Sequence, residues 1–242
     1  MQKITNYFYQ YQEGILIYLK ELSFNIVLYV NKLICYRLIF RDVGGGSMID
    51  QSSDSKNSML EGVFPYNDKL APLYIRNSLF TLIPQGTEHI YVIGIGSNQI
   101  SGDSLGPFVG TLLNEKFPNH LTVLGNLQFP LDALTLEKEY GSISLPNNSF
   151  IIAIDSVLGS RKIVNSIAIR KGSLRPGEGL GKKLPAIGDC SIMGVIQEND
   201  SSLHSSLFHT NLHLIYTMTT TIAKGICLAV RQYFRYPSNY PI

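Results

Sequence analysis

The segment Phe150-Ile151-Ile152-Ala153-Ile154 constrains this chain most: it is strand-length, apolar at every position, and runs directly into a carboxylate, Asp155. A strand with no polar face has to be covered on both sides, as in a parallel sheet packed between helices. A second run, Ile90-Tyr91-Val92-Ile93-Gly94, leads into a Gly/Ser/Asn loop from Gly94 to Gly102 and then a helical stretch from Ser104 to Lys116. Leu121–Leu124, Ser166–Arg170 and Ser191–Ile196 read as further strands, the last two joined by a Gly/Pro/Lys-rich loop from Lys171 to Gly188. Asp132–Tyr140 and Asn211–Phe234 read as helices. The latter carries Leu212, Ile215, Met218, Ile222, Ile226 and Val230 at helical spacing. Tyr66–Leu82 reads as a short helix, broken near Pro72, that packs onto the main domain. The alternation predicts an α/β fold, a three-layer α/β/α domain with a mainly parallel sheet.

The chain has 242 residues, of which 45% are hydrophobic, enough for one domain of roughly 150–200 residues and an appendage. The expected organisation is an extension over 1–47, a polar lead-in and short helix over 48–88, the α/β domain over 89–234 and a tail over 235–242. The net charge of +2 comes from dispersed basic residues, which argues against a nucleic-acid partner held through phosphates. The three cysteines, Cys35, Cys190 and Cys227, are too scattered for a disulfide framework or a paired-ligand zinc site, so a reducing, cytoplasmic setting is expected. Lys20, Glu21, Lys32 and Arg37 interrupt the apolar N-terminal stretch before any run reaches the roughly 18 residues of a membrane span. A surface-lying amphipathic helix over Ile15–Phe40 is the alternative there.

Composition changes abruptly at Gly44-Gly45-Gly46-Ser47-Met48. Glycine codons all begin GG, so this stretch encodes a purine-rich tract a few nucleotides before an ATG, as at a bacterial ribosome-binding site. The native start is therefore expected at Met48.

In a parallel sheet the binding crevice lies beyond the C-terminal strand ends. Two acidic residues arrive there: Asp103, in the loop after the first strand of the domain, and Asp155, after the third. A dinucleotide site does not fit, because Gly94 and Gly96 are followed by Gln99 where the third glycine belongs, and the phosphate-cradling GxxxxGK[ST] pattern is absent. Two carboxylates in one crevice cannot both ionise easily. One then keeps a proton and serves as acid while the other activates water. The same pair could alternatively hold a metal ion. Each residue also has a structural reading: Asp103 as the cap of the following helix, Asp155 as an Asx-turn closing its strand.

The blocks Gly94-Ile95-Gly96, Ser101-Gly102-Asp103-Ser104-Leu105-Gly106-Pro107, Phe150 to Gly159, and Leu174-Arg175-Pro176-Gly177 with Leu184 to Asp189 resemble the YyaC-type sporulation proteins, over about residues 89–234. That family is more distantly similar to the spore germination protease and the hydrogenase maturation endopeptidases. The resemblance implies a peptidase-like protein with Asp103 and Asp155 as an atypical aspartic dyad. It also implies small spore proteins as substrates, no cofactor, and action in the forespore or spore core. A non-catalytic peptide-binding or regulatory protein is the alternative. The nickel-sensing third histidine of the hydrogenase enzymes has no counterpart before His204, and Asp189 is the nearest polar candidate, so a nickel-reading role is not expected.

Three further features carry less. His209 and His213 share helical spacing without the metalloprotease glutamate. Cys190 follows Asp189 with no identifiable base. Lys171, Arg175, Lys182 and Lys183 make a locally basic loop, read as solvated or as an edge for an acidic peptide.

Overall fold

The computed structural model describes residues 62–132, 135–141, 145–176, 185–199 and 210–242. The expected start at Met48, the amphipathic stretch 15–40, His209, Lys182 and Lys183 lie outside those residues.

The two most apolar runs pair with each other inside a six-stranded sheet. Strand β2 (His89–Gly94) lies parallel to β4 (Ser149–Gly159), from His89 opposite Ser149 to Gly94 opposite Ile154. Strand β3 (Leu121–Leu124) flanks β2, and β6 (Cys190–Glu198) flanks β4, both in parallel. Outside β6, β5 (Ser166–Lys171) runs antiparallel to it, and β1 (Gly62–Pro65) antiparallel to β5. The order is β1-β5-β6-β4-β2-β3. The four parallel strands carry the site, as expected for a mainly parallel sheet. β1 went unrecognised in the sequence because Gly62-Val63-Phe64-Pro65 has only two strand-favouring residues, and only pairing to β5 holds it extended.

Helices cover both faces. Helix α1 (Ala71–Leu82) carries Pro72 in its first turn rather than breaking there, since a missing N–H costs nothing at that point of a helix. Helix α2 (Leu105–Leu113) and helix α4 (Leu212–Tyr233) join α1 on one face. Gly225 of α4 lies against Ile75 of α1, where an added Cβ would fall 2.5 Å from the Ile75 Cβ. Gly194 of β6 leaves room for Leu105 and Met218 to reach the sheet. The other face buries Ile93, Ala153, Leu174 and Ile187 under Leu136 of the short helix α3 (Leu136–Gly141). Both layers follow from alternation along the strands, successive side chains pointing to opposite sides.

Helix α4 shows the expected stripe, with Ile215, Met218, Ile222, Ile226 and Val230 fully buried. Leu212 departs from it at 62% exposed, in the first turn of α4. By length and apolarity α4 could cross a membrane (mean hydropathy 1.2), but 61% of its most apolar window is buried inside this domain, as in a core helix. After α4 the tail turns back: Tyr236 and Tyr240 both pack on the buried Phe117, with ring centroids 5.0 Å away in each case.

Candidate functional site

The sheet divides immediately after Gly94. The Ile95 N–H still donates to the Ile154 carbonyl (2.8 Å), but the Gly96 N–H donates instead to Leu131 (3.0 Å). β4 continues alone beside β6, pairing Asp155 with Met193 and running on to Gly159 opposite Glu198. Asp155 therefore stands inside a strand, at the point where its neighbour peels away, and not at a strand end in an Asx-turn as the sequence suggested. The physical reason is that Ser156, Val157 and Leu158 still have a partner strand in β6, whose backbone groups extend the ladder.

The loop from Ile95 to Ser104 folds onto this point. The Ser97 N–H donates to the Asp103 carbonyl (2.9 Å), and the Asp103 N–H to the Ile100 carbonyl (2.9 Å), closing a 3-10 turn over Ser101–Asp103. Two glycines allow the close approach. Gly96 has φ 133°, and a Cβ there would overlap the Asp103 carbonyl oxygen. At Gly106 a Cβ would overlap the Ile95 carbonyl and fall 2.8 Å from that of Ile154. The first turn of α2 thus rests directly on the end of β2 and on β4 at Ile154, one residue from Asp155. The cap position of α2 is Ser104, whose hydroxyl turns back to the Ser101 carbonyl (2.7 Å), and Asp103 sits one residue before it.

Asp155 is buried, and its carboxyl pKa is pushed well above the ordinary 3.8. Loss of water contact is the main cause, the negative charge of Asp103 is the second, and the Ser156 N–H donated to Oδ1 (2.7 Å) partly offsets them. Asp103 is half-buried. The charge of Asp103 therefore reaches Asp155, and burial together with that charge favours the protonated form of the Asp155 carboxyl.

Asp189 is not part of this arrangement. Its Oδ2 accepts the Ile151 N–H (2.9 Å), and its own N–H donates to the Ile151 carbonyl (2.8 Å), on β4 four residues before Asp155. Cys190 is fully buried, and burial with the adjacent Asp189 charge pushes its thiol up to about 12, so it is no nucleophile near neutral pH. The His213 N–H donates to Asn211 Oδ1 in the cap of α4 (2.8 Å). Among the described residues no three His, Cys, Asp or Glu side chains are placed to hold a metal ion.

Beside the 3-10 turn lies a groove of about 730 Å³ that sequence reading missed. Its lining includes Asn98, Gln99, Ser101, Phe108, Leu127 and Leu212. The signal that could have found it is Gly125-Asn126-Leu127-Gln128-Phe129-Pro130, a turn composition that carries two large apolar residues.

The fold defines an α/β protein in which a buried carboxyl, Asp155, lies where the parallel sheet divides. The chain belongs to the DUF1256 family, described as a protein of unknown function, whose model matches residues 63–225. It is 35% identical over 154 residues to the uncharacterized protein YyaC of Bacillus subtilis (strain 168), covering 63% of this chain and 75% of that one, which bears out the YyaC-type resemblance. Among solved structures it is similar to a NiFe hydrogenase maturation protease, HycI, from Thermococcus kodakarensis KOD1. That match has 15% identity, covers 60% of this chain and 97% of the other, and has a TM-score of 0.33.

Proposed function

We propose that this protein is a peptidase of the atypical aspartic type, acting on spore proteins in the forespore or spore core. The feature that supports the reading is the buried Asp155 carboxyl, whose pKa is raised by loss of water contact and, second, by the charge of Asp103. The substrate class comes by analogy with the spore germination protease, to which the YyaC-type proteins are distantly similar.

The pair divides the chemistry between acid and base. The Asp103 carboxylate takes a proton from water as the water oxygen bonds to the scissile carbonyl carbon, and Asp155 gives its proton to the carbonyl oxygen. As the resulting diol collapses, the C–N bond breaks, Asp103 delivers its proton to the leaving amine, and Asp155 recovers one from the diol. Both residues end as they began.

The test uses acid-extracted small spore proteins and an unstructured peptide mixture, with products read by mass spectrometry. The intact protein should cleave, and Asp103→Asn and Asp155→Asn should each slow turnover about a hundredfold or more. Cleavage undiminished in either variant overturns the dyad. Peptide binding without any cleavage by the unaltered protein overturns the peptidase reading in favour of a peptide-binding sporulation protein.

A further inference from the structure

β4 outruns its neighbour β2. Beyond Ile154 no strand among the described residues pairs with the side of β4 that β2 has left, while the ladder to β6 continues to Gly159. The N–H and carbonyl of one strand residue turn to the same side, and those of the next residue to the other. The Ile154 carbonyl accepts the Ile95 N–H (2.8 Å) on the β2 side. The Gly159 carbonyl accepts the Asn199 N–H (2.8 Å) on the β6 side. Between these two, Ser156 and Leu158 therefore turn their backbone groups to the side that β2 has left. The register shift between Val157 and Leu158 places its extra residue in β6, between Val195 and Gln197, so the alternation along β4 is unbroken.

The Ser156 N–H on that side donates to Asp155 Oδ1 (2.7 Å). Among the described residues, the Ser156 carbonyl and the backbone groups of Leu158 have no backbone partner there. Ser156 to Gly159 are half-buried, so the edge is open to solvent in part. A row of unpaired strand groups is a template for one more extended backbone. Its tie to the carboxyl is covalent, since Asp155 precedes Ser156 in the same strand. Asp155 Oδ1 also stands where the ladder would otherwise present the Ser156 N–H.

We infer that the open edge of β4 at Ser156–Leu158 seats the substrate as an added strand. The Ser156 carbonyl accepts a peptide N–H, and the Leu158 N–H donates to a peptide carbonyl. The next peptide carbonyl toward Asp155, which an unbroken ladder would bond to the Ser156 N–H, meets the Asp155 carboxyl instead. That carbonyl receives the acid proton, so the edge selects the scissile bond. The occupant is a peptide rather than a second copy of this chain. The start of α2 lies against the Ile154 carbonyl on this same side, two residues after Asp103. Symmetric pairing would therefore press two turns, each bearing an Asp103 of like charge, toward one short edge. This inference rests on the peptidase reading for its direction, and its test is independent of turnover.

Recognition through the backbone tolerates a generic probe. The probes are a fluorescein-labelled octapeptide of alternating Thr and Val with Lys at each end, and its counterpart with an ester in place of every amide. Binding to the Asp155→Asn protein is read by anisotropy. The amide peptide should bind about tenfold more tightly than the ester, which lacks N–H donors. Leu158→Pro removes the edge N–H without touching the ladder to β6, and should weaken the amide peptide about fivefold. Hydrogen exchange by NMR needs no change at the edge and serves if Leu158→Pro unfolds. The Leu158 amide should exchange about tenfold more slowly with the amide peptide bound. No binding of the amide peptide, equal binding of both peptides, or unchanged exchange at Leu158 in the bound state overturns the added strand. So does sedimentation showing a dimer that Leu158→Pro dissociates. If the peptides bind in this pattern and the unaltered protein cleaves nothing, the edge stands and the peptidase reading falls. Cleavage by the unaltered protein without this pattern removes the edge and keeps the peptidase reading.

Discussion

Gly96 lies against Asp103, with no space between them for a side chain: a Cβ at Gly96 would occupy the position of the Asp103 carbonyl oxygen, which accepts the Ser97 N–H at 2.9 Å. The φ of 133° at Gly96 is unfavourable for any residue with a Cβ. Gly96→Ala should therefore displace the 3-10 turn, lower stability by about 1–3 kcal/mol, and let the Asp155 carboxyl relax toward its ordinary value as Asp103 moves off. Gly141→Ala is the control, since a Cβ there meets nothing within 4 Å. Denaturant unfolding and a carboxyl NMR titration read both effects.

The buried Asp155 carboxyl makes stability depend on pH with a definite sign. Its folded pKa lies above the unfolded value near 3.8, so the folded state holds the extra proton. Below the unfolded value both states are protonated and nothing is lost; as pH rises through the folded value, stability falls, and above it the full penalty remains. Asp155→Asn keeps an oxygen for the Ser156 N–H and removes the charge. It should match the unaltered protein near pH 3.5 and gain on it as pH rises, by about 1.4 kcal/mol for each pH unit of the window. Asp103→Asn should narrow that window. Equal stability of Asp155→Asn and the unaltered protein at pH 8 contradicts the assignment.

Asp189 should prove structural. Asp189→Ala leaves the Ile151 N–H without its 2.9 Å acceptor, at a cost of about 1 kcal/mol for a partly solvated bond. Any peptide turnover should keep its kcat, because Asp189 bonds to β4 at Ile151, four residues before Asp155. A lower kcat with unchanged stability would place Asp189 in the chemistry after all.

With a thiol pKa of about 12 and no solvent contact, Cys190 should resist alkylation in the folded protein. At pH 8 the thiolate fraction is on the order of 10⁻⁴. Iodoacetamide labelling followed by peptide mass mapping should show Cys190 modified only under unfolding conditions.

The tail after α4 packs on the turn that leads into β3. Phe117 is fully buried under Tyr236 and Tyr240, and His120 Nδ1 lies 2.6 Å from the Tyr236 hydroxyl. Ending the chain at Arg235 should expose Phe117 and cost about 1.5–3 kcal/mol, read as a lower melting temperature.

The sequence alone determined the sheet's strands from Ile90 onward, the buried stripe of α4 and the two acidic positions. Each is written in local periodicity: apolar runs of strand length, a repeat near 3.6, and carboxylates that interrupt apolar segments. β1 was not legible, because Gly62–Pro65 is extended only through its partner β5, which lies about a hundred residues away along the chain. Nor was the position of Asp155 within its strand, since the ladder beyond Ile154 depends on β6 continuing where β2 leaves. The groove beside Asp103 was also hidden: its walls come from separate stretches of chain, joined by the Asn98 bond to Leu127. Tertiary structure alone decided that the Asp103 charge reaches a carboxyl already stripped of water. Burial and charge proximity are properties of packed neighbours, and local pattern carries neither.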